Sequence, residues 1–122
     1  MMKLVFCLRR LPHLSPAEFQ RYWLDEHGPL VRSHARALGI RRYVQTHTID
    51  HPVNALLQAS RGGPDPFDGV AELWWDNPAS LAAATATPEG LAASAALLAD
   101  ERTFIDLAHS PLFVAAEHDI LA

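Results

Sequence analysis

The chain has 122 residues, 49% of them apolar and 20% charged, and carries a net charge of −4. That is one domain, 1–122, large enough to bury a core, and no stretch approaches the about eighteen apolar residues a membrane helix needs. The lone cysteine, Cys7, excludes an internal disulfide and a cysteine-built zinc site. The charge is uneven: up to Arg42 there are eight Lys/Arg against three Asp/Glu, and beyond it two against eleven. No aromatic-interleaved basic stripe accompanies the basic half, so nucleic acid is not an expected partner, and neither is a membrane. The N-terminal apolar run is too short for a secretory signal, and a cytoplasmic location is expected.

Lys3–Arg9 is apolar, partly β-branched and bounded by Pro12, which predicts the first strand. Ser15-Pro16-Ala17-Glu18 then sets a capping Ser, a Pro at the first helical position and a Glu three residues after the cap. Phe19, Tyr22, Trp23, Glu26, His27 and Leu30 follow at helical spacing. Gly28-Pro29 opposes simple continuation, because Pro29 has no N–H to give the carbonyl of Asp25. A kink, or a stop and restart, is expected there, with Gly39 as left-handed terminator.

Arg41–Ile49 alternates in polarity and reads as strand two. His51–Asp68 is rich in Pro and Gly and reads as a loop, with one helical turn at Asn54–Ala59. Gly69–Trp75 is strand three. Asn77 caps an Ala-rich helix from Ala79 to Ala99, which Pro88 divides. Asp100–Ala108 reads as a short helical piece and Leu112–Leu121 as strand four. The order β-α-β-β-α-β defines the α+β class, a ferredoxin-like fold with a four-stranded antiparallel sheet. Val70, Glu72 and Trp74 alternate with Ala71, Leu73 and Trp75, so both sheet faces carry a tryptophan. The face without helices is expected to hold Val70, Trp74, Leu4, Phe6 and Leu8, and to be buried in a homodimer.

Several side chains are candidates for chemistry. His27 shares the inward helical face with Phe19, Tyr22 and Trp23, where it would serve as general acid or base, or merely cap its helix end. Tyr43, Gln45 and His47 share one face of strand two and either enter a cavity or face water. Trp75 is core or the wall of a pocket beside Ala71. Glu117 and His118 point to opposite faces, so one of them can enter a cavity. Arg9 is a carboxylate or phenolate binder or an ordinary surface arginine, and Cys7, inside an apolar run, a buried structural thiol rather than a nucleophile. His34 follows His27 by seven residues, but a metal would need a third ligand and a straight helix; no metal is expected.

Lys3-Leu4-Val5-Phe6, Leu14-Ser15-Pro16-Ala17-Glu18-Phe19 and Tyr22-Trp23-Leu24-Asp25-Glu26-His27-Gly28-Pro29-Leu30 resemble the opening of the EthD family. Arg41–Gln45, Asp68–Trp75, Phe104–Asp106, Ser110-Pro111 and Glu117-His118 are similar to its later blocks. The resemblance implies a dimeric α+β barrel, two four-stranded sheets packed together with helices outside. Relatives of that fold include dehydratases, decarboxylases, cyclases, muconolactone isomerases and cofactor-free quinone-forming monooxygenases, and others that bind or degrade haem. Haem degraders of this fold carry an Asn on strand one and a His on the second helix; here Cys7 stands in the first place and no His lies between Leu81 and Ala99. The expectation is cofactor-independent acid/base chemistry on a small hydrophobic phenolic or lactone-type molecule, of lyase, isomerase or cyclase type, in a degradation or polyketide pathway. The alternatives are a non-catalytic auxiliary subunit and a quinone-forming monooxygenase. Expected catalytic residues are His27 and His47; expected substrate contacts are Tyr22, Cys7, Arg9, Tyr43, Trp75 and His118.

Overall fold

A computed structural model describes all 122 residues. Four strands, β1 (Met2–Leu8), β2 (Arg42–His47), β3 (Gly69–Trp75) and β4 (Leu112–Ala116), form one antiparallel sheet in the order β2-β3-β1-β4. The chain is an α+β protein of ferredoxin-like topology. β4 stops at Ala116, short of the expected Leu121, because Ala116 pairs with Met2 and β1 begins there. Past that point the chain has no strand to bond.

The helical layer lies on one sheet face. Ser15 caps α1 (Pro16–Tyr22) with a reciprocal capping box: its hydroxyl accepts from the Glu18 N–H and the Glu18 carboxylate accepts from the Ser15 N–H. α2 (Gly28–Leu38) ends at Gly39 in the left-handed conformation, φ 71°. Between them the helix neither stops nor breaks. Trp23–His27 forms a π-helical turn, closed by the Gly28 N–H donating to the Trp23 carbonyl. The wider turn absorbs the donor Pro29 lacks while keeping the axis continuous.

The loop between β2 and β3 holds a longer helix than expected, α3 (Val53–Arg61), ended by Gly62. Asn77 caps α4 (Pro78–Ala86) and Thr87 caps α5 (Pro88–Glu101); Pro88 turns the chain by 93° between them. α5 runs on through Asp100 and Glu101, which were expected to open a separate piece. Only Leu107–His109 is helical beyond it, as a short 3-10 turn. No single helix is long and apolar enough to cross a membrane.

Register settles which face is which. Leu4 pairs with Leu73, Phe6 with Ala71 and Leu8 with Gly69, so these leucines and Phe6 share the helix-covered face with Trp75. The sequence expectation placed them on the open face with Val70 and Trp74, and the pairing reverses it. The open face carries Lys3, Val5 and Cys7 beside Val70, Glu72 and Trp74. Phe6, Leu8, Phe19, Trp23, Ala71, Phe104 and Ile105 form one core cluster, and Val31, Leu38, Ala93 and Leu97 a second.

Candidate active site

Between the sheet and the helices, the two core clusters leave a cavity of about 220 Å³. Nineteen residues line it and fifteen are hydrophobic, with Phe6, Leu73 and Trp75 on the sheet side and Val31, Leu38 and Leu97 on the helix side. No Lys or Arg reaches it; its titratable groups are His27, Tyr43 and Glu101. Any charge formed inside must therefore be stabilised by very few groups.

The π-turn delivers His27 to this cavity. The imidazole is 5% exposed and bonds no carbonyl of its own helix, so it is not a helix-end cap. Its Nδ1 lies 2.7 Å from the Asp100 Oδ2, and the Tyr22 hydroxyl donates to the other oxygen of the same carboxylate at 2.5 Å. A carboxylate only accepts, so Nδ1 carries the proton and Nε2 is left as the acceptor. Every fully buried side-chain nitrogen and oxygen in the protein is hydrogen-bonded, and Nε2 makes no such bond. It therefore keeps some accessible surface, and His27 is one of the residues that line the cavity. Burial lowers the His27 pKa, and the hydrogen bond and charge of Asp100 offset only part of that drop. The resting group is a neutral imidazole, oriented by Asp100 and open at one nitrogen, the form a general base requires.

Glu101 follows Asp100 on the last turn of α5 and also lines the cavity. Burial, with a smaller contribution from the Asp100 charge, raises its pKa from the usual 4.5 to about 7. Sequence reading missed both acids. The signal was present: two adjacent carboxylates end an otherwise apolar helix, where the helix dipole disfavours negative charge.

The sequence candidates separate. Tyr43 and Trp75 line the cavity, and Trp75 is anchored by its Nε1–H donating to the Leu38 carbonyl at 2.7 Å. Burial pushes the Tyr43 phenol upward. Tyr22 acts behind His27, through Asp100. His47 does not line the cavity: its ring stacks on Trp23 at 4.4 Å and its Nε2–H donates to the Gln45 Oε1 at 2.8 Å. The Gln45 amide donates in turn to the Trp23 carbonyl and the Tyr43 hydroxyl, 2.8 Å each. His47 thus clamps the π-turn against β2. Gly69 completes the clamp, since a Cβ there would sit 2.4 Å from the Trp23 ring.

Cys7, Arg9 and His118 also lie away from the cavity. Cys7 is on the open sheet face, its thiol pushed up by burial. Arg9 donates to the carbonyls of Asp65 and Pro66 and stacks on Phe67, which fastens the β2–β3 connection. His118 is exposed beyond β4. No three His, Cys, Asp or Glu side chains converge as a metal site would require.

A ferredoxin-like α+β domain with one oriented histidine on an apolar cavity is the class that fold and site define. The EthD domain profile matches residues 11–108, and the chain belongs to the EthD family. It is similar to an EthD family protein of Bacillus halodurans at 24% identity, over 97% of this chain and 100% of that one, with a TM-score of 0.62. An EthD-like protein of Ralstonia eutropha matches at 16% identity and a TM-score of 0.60, over 97% and 96% of the two chains. SnoaB, a cofactor-independent oxygenase from Streptomyces nogalater, matches at 18% identity and a TM-score of 0.56, over 98% and 95%. No curated protein matches the chain.

Proposed function

We propose that this protein catalyses cofactor-independent proton transfer on a small, hydrophobic phenolic or lactone-type molecule, with lyase, isomerase or cyclase outcome. One observation carries the reading: a buried imidazole, fixed through Nδ1 by Asp100 and with no hydrogen bond at Nε2, lines a predominantly apolar, partly open cavity. Nε2 takes a proton from carbon next to a carbonyl, or from a phenol. The imidazolium so formed is stabilised by Asp100, whose second oxygen is already held by Tyr22. Trp75, Leu73 and Val31 bind the apolar body of the substrate and exclude water. The functional unit is a homodimer with open sheet faces packed together, a reading supported by Val5, Val70 and Trp74 on that face.

His27→Ala and His27→Asn separate catalysis from packing. Both variants are expected to fold and to lose turnover by a factor of order 10²–10⁴, the usual share of one general base. The measurements are a melting curve and a turnover assay against phenolic and lactone compounds. An Ala variant that stays fully active removes the proposal. Oxygen uptake coupled to turnover would instead assign the same deprotonated intermediate to a monooxygenase.

A further inference from the structure

Glu101 has no role in the scheme above, yet it lines the same cavity as His27. Its side chain makes no hydrogen bond within the protein, whereas its neighbour Asp100 is occupied at both oxygens by His27 and Tyr22. The placement is well defined, because the Glu101 carbonyl accepts from the N–H groups of Phe104 and Ile105 and holds the end of α5 in place.

We infer that Glu101 is the second proton-transfer group of the cavity, donating as a carboxylic acid to the carbonyl oxygen of an uncharged, enolisable substrate while His27 takes the adjacent proton. This rests on the proposed base role of His27 and adds the acid and the substrate class. The step balances. The C–H bond breaks and its proton goes to the His27 Nε2. The C–H electrons form the carbon–carbon double bond, and the carbonyl π electrons move to oxygen. That oxygen takes the Glu101 proton, which gives an enol, an imidazolium beside Asp100 and a Glu101 carboxylate. The imidazolium then gives its proton to the same or another carbon while the enol O–H proton returns to the Glu101 carboxylate, which re-forms the carbonyl and resets the site.

Three features support this assignment. The other titratable groups that line the cavity are His27 from the π-turn and the Tyr43 phenol from β2, with Asp100 next to Glu101 on its own helix. None supplies a positive charge at rest to favour the carboxylate, and the C-terminal end of α5 opposes it further. The raised pKa, about 7, is the consequence. Last, a cavity without Lys or Arg has nothing to hold a carboxylate substrate, so the reacting end of the substrate is uncharged.

The test is α-proton exchange of 2-tetralone in deuterated water, followed by NMR, with the whole protein and its variants. The wild type is expected to exchange faster than buffer, and His27→Ala to abolish the gain. Glu101→Gln, which keeps shape and a hydrogen-bond donor but has no proton to give, should lower it by a factor of order 10², and Glu101→Leu by more. Wild-type rates in both Glu101 variants, with His27→Ala inactive, overturn the role of Glu101 and leave the base standing. A wild type no faster than buffer overturns both. Infrared spectra give an independent readout: a protonated-carboxyl band that titrates near about 7 and is missing from Glu101→Gln. Absence of that band overturns the inference whatever the exchange rates. As competitors, 2-naphthol should inhibit and 2-naphthoate should not; equal inhibition would overturn the uncharged substrate class.

Discussion

The two faces of the sheet each carry a tryptophan with ionisable groups near it, but charge is met differently on each. On the open face Trp74 is 7% exposed and lies between two cations, the Arg42 guanidinium at 4.6 Å and the Lys3 ammonium at 5.5 Å from its ring centre. Its Nε1–H donates to Glu117 at 2.6 Å, and Lys3 forms an ion pair with Glu72. Charge there is matched by opposite charge. On the covered face Trp75 bonds only backbone, and no cation is available. The ionisable groups shift toward their neutral forms: His27 is pushed down and Glu101 up. A neutral base and an acid that still holds part of its proton near neutrality are what proton transfer to and from an uncharged molecule requires.

The largest effect that would break this contrast belongs to Asp100→Asn. An amide can present either its oxygen or its nitrogen to Nδ1, and in the second case the imidazole carries its proton on the cavity side. Turnover is expected to fall by about 10³–10⁴, with a changed pH profile and a nearly unchanged melting curve. An active Asn variant would show that Asp100 does not set the tautomer.

Next in size is the open face. Val70→Asp places an unpaired carboxylate where two sheets are proposed to meet, and should weaken dimerisation by two to three orders of magnitude. Light scattering at micromolar concentration is expected to show a dimer for the wild type, burying more than roughly 1,000 Å². A monomeric wild type would end the dimer proposal and leave the cavity reading intact.

The smallest effect sharpens the contrast through stability. The unfolded chain loses the Glu101 proton near 4.5, while the native cavity retains it to about 7. Between those values the native state binds more protons, so stability falls as pH rises through that window and is level above it. Glu101→Gln removes the fall, and should be more stable than the wild type above neutrality by on the order of 2–3 kcal/mol, with no difference near pH 4.5. His27 acts in the opposite sense. Its native pKa lies below the usual 6.5, so its contribution is lost as pH drops beneath that value. Denaturant melts across pH, wild type against variant, measure both slopes.

Local sequence determined much of this molecule. The capping box at Ser15, the Asn77 cap, the break at Pro88 and the αL glycine at 39 are short-range devices whose partners lie within a few residues, and each stands where the sequence predicts it. The inward direction of His27 was legible for the same reason, from helical spacing alone. Tertiary structure decided the rest. Alternation along β1 says that Leu4, Phe6 and Leu8 share a face but not which face, and only pairing with β3 assigns it. His47 looked like a catalytic tip until the π-turn brought the Trp23 ring flat against it. The bond between His27 and Asp100 spans 73 positions. Neither residue carries a local mark of the other, because the force that joins them is the shared cost of leaving a polar group unpaired in an apolar interior, and that interior exists only after the helices close over the sheet.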